Sequence, residues 1–414
     1  MPEAAPEAAA RPSGFRWLLL GCLFAATVLN YLDRQTLSIL APLIQRDLKM
    51  SDAGYAGVVQ LFLLAYTFAY LTAGWITDRL GSKLSLALFV GWWSLANMAT
   101  GLVHSVIQLG AARFALGLGE AGNYTAAPKA VSERFPVRER GLALGIYTSG
   151  AMIGATIAPP LIGWIALSFG WRAAFLVTGG AGLVWLAAWL IVHRFLPPSP
   201  AAAREALPGE AEWSWRQILS SRQMWSLALA RTLTDPVWYF YLFWFPKYLA
   251  DARGLGLLAV ASLAWIVYLA ADLGSVGGGW LSGRLTQRGW SPARARLAVM
   301  GLAALIAPFG ALIATSPAIP LVLALGAVVA LAHMGFLVNL STLIVDIFPR
   351  RQMATIFGII AAGSGLGGMA STWVVGQFAG GHNYPPLFLA MAVLHPLGWA
   401  VARLALPKGE KHAA

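Results

Sequence analysis

Twelve apolar runs, each about 20 residues long, follow one another along the chain. They are centred near residues 29, 65, 92, 117, 152, 183, 237, 268, 304, 330, 364 and 394. A run of this length crosses the roughly 30 Å hydrocarbon core of a bilayer as an α-helix. Only helices and closed barrels satisfy their backbone hydrogen bonds there. The sequence therefore predicts an all-α membrane protein with twelve transmembrane helices.

The composition excludes an ordinary soluble domain. Hydrophobic residues make up 58% of the chain and charged residues 11%, against about 45–50% and about 25% in soluble proteins. The net charge of +12 would suit a nucleic-acid partner, but the basic residues lie in short clusters between the apolar runs rather than in one patch. The expected partner is therefore the lipid bilayer, and no nucleic acid is expected.

The basic residues also orient the chain. When the runs are threaded alternately through a membrane, 21 of the 29 Lys and Arg fall on the face that carries both chain ends. Cytoplasmic loops carry the excess of Lys and Arg, so both ends are predicted to be cytoplasmic. The first run lacks the basic flank and cleavage site of a signal peptide. We expect it to remain as the first helix of a bacterial inner-membrane protein.

A polar, proline-containing stretch divides the runs six and six. It covers residues 196–222 and is too polar to enter lipid, so it is predicted to be a cytoplasmic linker. The expected organisation is a cytoplasmic tail at 1–15, a six-helix bundle at 16–195, the linker, a second six-helix bundle at 223–406 and a cytoplasmic tail at 407–414.

The two bundles repeat each other in sequence. Residues 133–154 and 346–367 share seven identities in 22 positions, including a Phe-Pro pair and three glycines, and they occupy equivalent places in the topology. In many secondary transporters, parallel six-helix repeats enclose a site near the bilayer midplane. The sequence thus predicts two pseudo-repeated bundles with a site between them.

The turn after the second run matches the pattern G-x-x-x-D-R-x-G-x-[RK], with Gly74, Asp78, Arg79, Gly81 and Lys83 at its fixed positions. This is the signature of the major facilitator superfamily, which the chain resembles. We expect Asp78 and Arg79 to act as a latch that bridges helices in one conformational state and releases them in the other. The alternative is a simple topology signal. In the second bundle Gly283 replaces the acid, so a latch there is weaker or made differently.

Two of the apolar runs carry two charged residues each, Asp33 and Arg34 in the first and Arg113 and Glu120 in the fourth. An ionised side chain at mid-bilayer depth costs roughly 2.5 to 3.5 kcal/mol even on the lenient insertion scale. Four such residues in two helices therefore predict a protected polar cavity with a function. The alternative is a static salt-bridge network that only orients the two helices.

Helical spacing assigns directions to these side chains. Residues three or four apart share a face, so Tyr31 and Arg34 lie on one stripe and Asp33 points to the side. Arg34 is predicted to face the cavity and bind an anion, because guanidinium is always charged and its planar fork suits a carboxylate. Asp33 is expected to contact Arg113, and Glu120 also to reach the first helix. Asp33 and Glu120 are then expected to exchange protons as their partners change.

Other polar residues within the runs give weaker signals. Tyr66, Asn339, Ser341 and Ser364 either hydrogen-bond the substrate or satisfy a neighbouring helix. In the second half, Arg231 lies a couple of turns inside the membrane and is expected to snorkel, Asp235-Pro236 is expected to break the seventh helix, and His333 is expected to be a satisfied hydrogen bonder. The aromatic run 238–245 either packs or lines the pathway.

Metal, disulfide and cofactor chemistry find no support. The six histidines show no ligand spacing, so no metal site is expected. Cys22 is the single cysteine, which excludes an internal disulfide. No nucleotide-binding pattern of the form G-x-x-x-x-G-K-[ST] is present, so no cofactor and no ATP-driven step are expected.

Within the superfamily, the chain resembles the anion:cation symporter family, and in that family the hexuronate transporters. The segments that carry the resemblance are residues 30–34, 113–121, 135–140, 234–249 and 271–290. The resemblance implies that Arg34 binds the substrate carboxylate with help from Tyr31 and Tyr66. It also implies a proton-coupling set of Asp33, Arg113 and Glu120, and polar substrate contacts at Asn339, Ser341 and Ser364.

The resulting prediction is a monomeric, proton-coupled symporter that imports a hexuronate such as galacturonate or glucuronate by alternating access. It is not an enzyme. One alternative is a symporter of another organic anion: an aldonate such as galactonate, a dicarboxylate or an aromatic acid. An alternative of a different class is a membrane channel or enzyme that uses the buried charges for conduction or catalysis.

Overall fold

The computed structural model of the protein describes residues 14–195, 213–255, 257–379 and 383–405, and over these residues the regular structure is entirely helical. Residues 1–13 of the predicted N-terminal tail, the predicted tail at 407–414 and most of the predicted linker lie outside the described residues. The described end of the linker carries a short helix.

The first half of the chain contains six predicted crossings in six helices, whose bounds are α1 Phe15–Asp47, α2 Asp52–Thr100, α3 Val106–Glu120, α4 Asn123–Arg134, α5 Val137–Phe169 and α6 Trp171–Phe195. Helix α2 contains two crossings, because Gly81 has φ 73° and ψ 165° and turns the chain between them. Only glycine adopts that backbone conformation readily. Helices α3 and α4 together form the fourth crossing.

The second half repeats this plan, with the linker helix α7 Trp215–Leu219 followed by α8 Arg222–Tyr239, α9 Phe245–Asp251, α10 Leu257–Gln287, α11 Pro292–Ile306, α12 Ile319–Ile347, α13 Met353–Ala379 and α14 Pro385–Ala402. A π-helical turn, Phe240–Trp244, joins α8 to α9, and 3-10 turns extend α11 over Ala307–Thr315 and α14 over Arg403–Ala405.

Eight described segments are long and apolar enough to span a membrane by length and composition. One of them is α2, which supplies two crossings. The remaining three crossings are α3 with α4, α8 with α9, and α10. The predicted all-α fold with twelve crossings in two bundles is confirmed.

The seventh crossing differs from its prediction. Pro236 lies inside α8, which continues as a helix to Tyr239, and the irregular turn comes only at residues 240–244. The aromatic run around this turn mostly packs within the second half. The side chains of Phe240, Tyr241 and Phe245 are 0%, 3% and 2% exposed. Packing, rather than lining of a pathway, therefore explains these three rings.

Glycines set the helix packing of both halves in the same way. A Cβ at Gly154 would lie 2.6 Å from the carbonyl oxygen of Val28, and one at Gly367 would lie 2.5 Å from that of Thr232. A side chain does not fit at either distance, so α5 packs directly on α1, and α13 directly on α8. The two contacts are equivalent, which confirms the repeat and aligns Val28 with Thr232.

The two halves touch near the face where α1 begins and the turn after α14 ends, which we call the terminal face. There α5 crosses α10 so closely that a Cβ at Gly141 would lie 2.7 Å from the carbonyl oxygen of Gly279. Helix α2 crosses α13 equally closely, since a Cβ at Gly74 would overlap the carbonyl group of Ala354. In this structure the halves are therefore closed against each other at the terminal face.

Candidate substrate and coupling site

A buried ion pair joins the first and fourth crossings. Arg34 donates from Nε and Nη2 to one oxygen of Glu120, Oε2, at 3.0 and 2.8 Å. The Glu120 side chain is completely buried, whereas that of Arg34 is 27% exposed. The arginine therefore presents part of its surface away from the pair, as its predicted orientation requires.

Three aromatic rings surround the Arg34 guanidinium. Its central carbon lies 4.6 Å from the ring centre of Tyr66, 5.1 Å from that of Tyr31 and 5.5 Å from that of Phe62. Aromatic faces attract a guanidinium and fix its plane. The structure thus brings together the two predicted tyrosines with Arg34. It adds Phe62, which carries no polar signal in the sequence and was not predicted.

Asp33 points away from this cage, into the space between α1, α2 and α6, and is completely buried. Its Oδ1 accepts a 2.6 Å hydrogen bond from the amide nitrogen of Asn97. The same amide donates to the Thr178 hydroxyl at 2.8 Å. The different directions predicted for Asp33 and Arg34 from helical spacing agree with these contacts.

Arg113 reaches Asp33 by a different route from the predicted one. Its Nη2 donates to the backbone carbonyl of Asp33 at 3.2 Å, and its Nη1 donates to Asn97 Oδ1 at 3.2 Å. No ion pair between the two charged side chains is recorded among the described residues. Asn97 instead stands between carboxylate and guanidinium. It was missed because it is one polar residue among several in the third crossing, with no charge to single it out.

Each of the two buried carboxylates keeps one oxygen without a hydrogen bond. Within the described part of the chain, Asp33 Oδ2 and Glu120 Oε1 have no partner. Buried acceptors are nearly always satisfied in folded proteins. An unpartnered carboxylate oxygen is a position where a proton or a polar ligand atom fits.

The predicted contacts in the second half are buried or half-buried. Asn339 is completely buried and donates to the carbonyl oxygens of Gly278 and Gly335, which satisfies two helices. Ser364 is 7% exposed and hydrogen-bonds the hydroxyl of Tyr239. Ser341 is half-buried. The side-chain nitrogen of Asn339 thus satisfies backbone carbonyls of two helices rather than a substrate. Its Oδ1 is buried without a partner among the described residues.

Asp78 of the signature turn crosses the boundary between the halves. Its Oδ1 accepts hydrogen bonds from the backbone of Ala354 at 3.1 Å and from Lys129 at 2.8 Å, and its Oδ2 accepts two from Thr355. Lys129 also donates to the carbonyl oxygen of Arg350 at 2.9 Å. The carboxylate therefore caps the first turn of α13.

Arg79, the other predicted latch residue, is placed differently. It is exposed, and its guanidinium carbon lies 4.1 Å above the ring centre of Trp75 on its own helix. In this conformation the acid makes the contacts between halves and the arginine stacks on the surface.

A second set of ion pairs closes the same face, without the signature pattern. Asp346 Oδ1 accepts from Arg140 of the first half at 2.9 Å, and Oδ2 accepts from Arg296 at 3.3 Å. Arg296 further donates to the carbonyl oxygen of Val137 at 2.8 Å. Gly283 occupies the position of the signature acid in the second half, and a latch there was expected to be made differently. The arrangement agrees with this expectation, because the carboxylate is supplied by Asp346 at the end of α12.

Two ionisable residues of the second half have partners that their positions in the sequence did not indicate. Arg231, on α8, does not snorkel as predicted: it is 8% exposed, and its Nε donates to Asp235 Oδ2 at 3.2 Å. His333, on α12, is hydrogen-bonded on one side of its ring, since its Nδ1 lies 3.2 Å from His395 Nε2 and the ring stacks on Trp238, whereas its Nε2 has no partner among the described residues. For Arg231, depth along one helix was misleading, because its enclosure depends on the packing of other helices.

The described residues contain no cluster of three or more His, Cys, Asp or Glu that could hold a metal ion. Cys22 is a free thiol.

Two alike six-crossing halves with buried ion pairs are the architecture of many secondary transporters. Residues 23–372 match the model of the Major Facilitator Superfamily. The chain belongs to this superfamily.

The chain is also similar to characterised transporters. It is 32% identical over 403 residues to a hexuronate transporter of Escherichia coli (strain K12), an alignment that covers 93% of this chain and 92% of the relative. It is 35% identical over 282 residues to a galacturonate transporter of Dickeya chrysanthemi, covering 65% and 81%. The solved structure of the proton:xylose symporter XylE matches with a TM-score of 0.75 at 14% identity, covering 94% and 95%, which supports the fold alone. The chain is a multi-pass transporter of small organic anions.

Proposed function

We propose that the protein is a proton-coupled symporter that imports a hexuronate, such as galacturonate or glucuronate. The printed names of the relatives support this substrate class. The observation that carries the proposal is the Arg34–Glu120 pair, in which a partly exposed guanidinium is held by one oxygen of a fully buried acid.

Arg34 suits the substrate carboxylate. Nε and Nη2 both engage Glu120, and Nη1 takes no part in that pair. Protonation of Glu120 would remove the negative charge that holds the guanidinium and free the arginine for a substrate carboxylate. Tyr31 and Tyr66 then fix the plane of the guanidinium and border the sugar ring.

Asp33 is proposed as the second proton-binding group. Its Oδ2 is buried without a partner among the described residues, and its Oδ1 is held by Asn97. Arg113 donates a hydrogen bond to the side-chain oxygen of the same Asn97. A change of charge on Asp33 is therefore transmitted to the Arg113 guanidinium through the Asn97 side chain. Asp33, Arg113 and Glu120 thereby form one coupling set along α1 and α3.

We further propose that the terminal face is cytoplasmic and that the protein works as a monomer in a bacterial inner membrane. The excess of Lys and Arg on that face supports this orientation. The described conformation is then closed toward the cytoplasm, with Asp78 and Asp346 bridging the halves. Asp78 acts as a latch that must release Thr355 before substrate can leave.

Uptake by proteoliposomes tests this function. Labelled galacturonate should accumulate when the outside is acidic and should not accumulate when the pH is equal on both sides. Unlabelled glucuronate should compete, whereas galactonate, a dicarboxylate and an aromatic acid should compete weakly. Strong competition by galactonate alone would move the substrate class to aldonates, and absence of pH-driven accumulation would refute proton coupling.

Counterflow separates a carrier from a channel. A carrier preloaded with unlabelled galacturonate transiently concentrates the labelled form, which a channel cannot do. Failure of counterflow in a preparation that still passes galacturonate would favour conduction.

A further inference from the structure

The second half carries its own buried ion pair, on α8. Arg231 Nε donates to Asp235 Oδ2 at 3.2 Å, and the two side chains are only 9% and 6% exposed. Both are incompletely satisfied: Arg231 Nη1 and Asp235 Oδ1 are buried and have no hydrogen-bond partner among the described residues. One donor and one acceptor are thus left without a partner on two residues that pair with each other.

The repeat places this pair at the same depth along its helix as the Arg34 guanidinium and the three aromatic rings around it. The matching glycine contacts align Val28 with Thr232. Three residues further along each helix, Tyr31 aligns with Asp235. Tyr31 borders the Arg34 guanidinium, so Asp235 occupies the equivalent place on the other side of the plane between the halves.

Two tyrosines, Tyr66 and Tyr70, lie between the two ion pairs. The Arg34 guanidinium lies 4.6 Å from the ring centre of Tyr66. The Tyr66 hydroxyl is 2.7 Å from the Tyr70 hydroxyl. Tyr70 in turn lies close enough to Arg231 for the two side chains to interact electrostatically. Tyr66 and Tyr70 therefore lie in the region between the first-half pair and the second-half pair.

We propose that the Arg231–Asp235 pair binds hydroxyl groups of the transported sugar acid, while Arg34 holds its carboxylate. The inference rests on the proposed function and names the second-half part of the same site. A sugar hydroxyl both donates and accepts hydrogen bonds, so neighbouring hydroxyls fit a free guanidinium N–H beside a free carboxylate oxygen. One substrate molecule then touches both halves, and its binding is coupled to their movement.

The pair discriminates as well as binds. A site built around buried polar groups rejects an analogue that lacks the matching hydroxyls, because the groups then stay unpaired. The Arg231–Asp235 pair should therefore separate polyhydroxylated acids from simple carboxylic acids, a distinction that Arg34 alone does not make.

The test compares two competitors in counterflow of labelled galacturonate. One competitor is unlabelled galacturonate, and the other is tetrahydropyran-2-carboxylate, which has the ring and the carboxylate but no ring hydroxyls. The variants are Asp235→Asn, Arg231→Gln and the double variant. Asp272→Asn is the matched control, because Asp272 also has a buried oxygen without a hydrogen bond among the described residues but lies on α10, outside the Arg231–Asp235 pair. Counterflow at equal pH on both sides requires no net proton movement, so it isolates substrate binding from coupling.

Asp235→Asn and Arg231→Gln should each weaken competition by galacturonate about 10- to 100-fold, the usual effect of losing a hydrogen bond to a charged group. Competition by tetrahydropyran-2-carboxylate should change less than about twofold, and the control should behave like the wild type. The double variant keeps the proposal falsifiable if a single variant folds poorly, because it leaves no unpaired charge.

Recovery of wild-type galacturonate affinity in the double variant would assign the pair a structural role and overturn the proposal. Equal weakening of both competitors would do the same, as would an equal effect of Asp272→Asn. If the wild type itself exchanges no galacturonate, the proposed function fails, and this inference falls with it.

Discussion

Asp78 Oδ2 accepts hydrogen bonds from both the backbone nitrogen and the hydroxyl of Thr355, at 2.7 and 2.6 Å, so an acid of the first half caps a helix of the second. A negative charge at a helix N-terminus is stabilising by about 0.3–1 kcal/mol, and more where the site is partly buried. These contacts exist only while the halves are closed at the terminal face. The full free energy of these contacts therefore stabilises the closed state relative to the open state.

Asp78→Asn should increase the population of the conformation in which the terminal face is open. The amide keeps an acceptor oxygen but loses the charge that pairs with Lys129 and with the helix N-terminus. A loss of about 1.4 kcal/mol corresponds to a tenfold change in the equilibrium. The measurement is the labelling rate of Ala354→Cys, made in a Cys22→Ala background, by a soluble thiol reagent. It should rise about tenfold.

Asp47→Asn is the control for this change. Asp47 pairs with Arg172 at the opposite face, and both side chains are substantially exposed, at 44% and 35%. Exposed pairs contribute little. A similar rise in labelling for both variants would mean that any loss of an acid loosens the protein, and that Asp78 is not a latch.

Gly141→Ala should disfavour the same closed state by a steric route. Its Cβ would lie 2.7 Å from the carbonyl oxygen of Gly279 in the other half, closer than real Cβ contacts. Gly163→Ala is matched on the same helix, since nothing lies within 4 Å of its added Cβ. We expect faster labelling at position 354 and slower uptake only for Gly141→Ala. Identical behaviour of the two variants would contradict the close crossing of α5 and α10.

Arg34→Lys tests whether the fork of the guanidinium matters beyond its charge. Lysine keeps the positive charge but cannot pair with a carboxylate in a planar, two-bonded geometry. Galacturonate affinity in counterflow should fall at least tenfold, whereas Tyr66→Phe, which keeps the ring, should cost less than that. Retention of wild-type affinity by Arg34→Lys would show that the substrate is held elsewhere.

Asn97→Leu should be strongly destabilising, although the residue carries no charge. Its amide bonds Asp33, Arg113 and Thr178, and a leucine would leave a buried carboxylate and guanidinium each short of a partner. Each such group costs about 1–3 kcal/mol. Thr178→Val removes only one neutral partner and should cost less. Thermal unfolding in detergent measures both, and equal losses would deny Asn97 its bridging role.

Local rules predicted much of this molecule. Run length gave the twelve crossings, and the difference in direction between residues 33 and 34 follows from 100° per residue. The repeated glycines predicted that the two halves pack alike, and Gly154 and Gly367 do so. In each case the information lies within one helix or one repeat.

The missed features all depend on how several helices pack together. Asn97 matters because it meets Asp33 and Arg113, which lie in two other crossings. Arg231 looked like a snorkelling residue from its depth, and only the packing of the second half shows that it is enclosed. Depth and periodicity describe one helix, whereas a charge network belongs to several.

Asp33→Asn and Glu120→Gln should both abolish pH-driven uptake of galacturonate while retaining part of its counterflow. Each change keeps the size of the side chain and removes a carboxylate oxygen that lacks a hydrogen bond among the described residues. Exchange needs substrate binding and movement of the halves but no net transfer of protons. In Glu120→Gln the arginine is released from its ion pair, so apparent affinity for galacturonate should become nearly independent of pH. Asp272→Asn, another carboxyl inside a crossing, should keep normal pH-driven uptake. Undiminished accumulation under an acid-outside gradient in both Asp33→Asn and Glu120→Gln would mean that protons enter by other groups, and that the buried acids only hold α1 and α3 together.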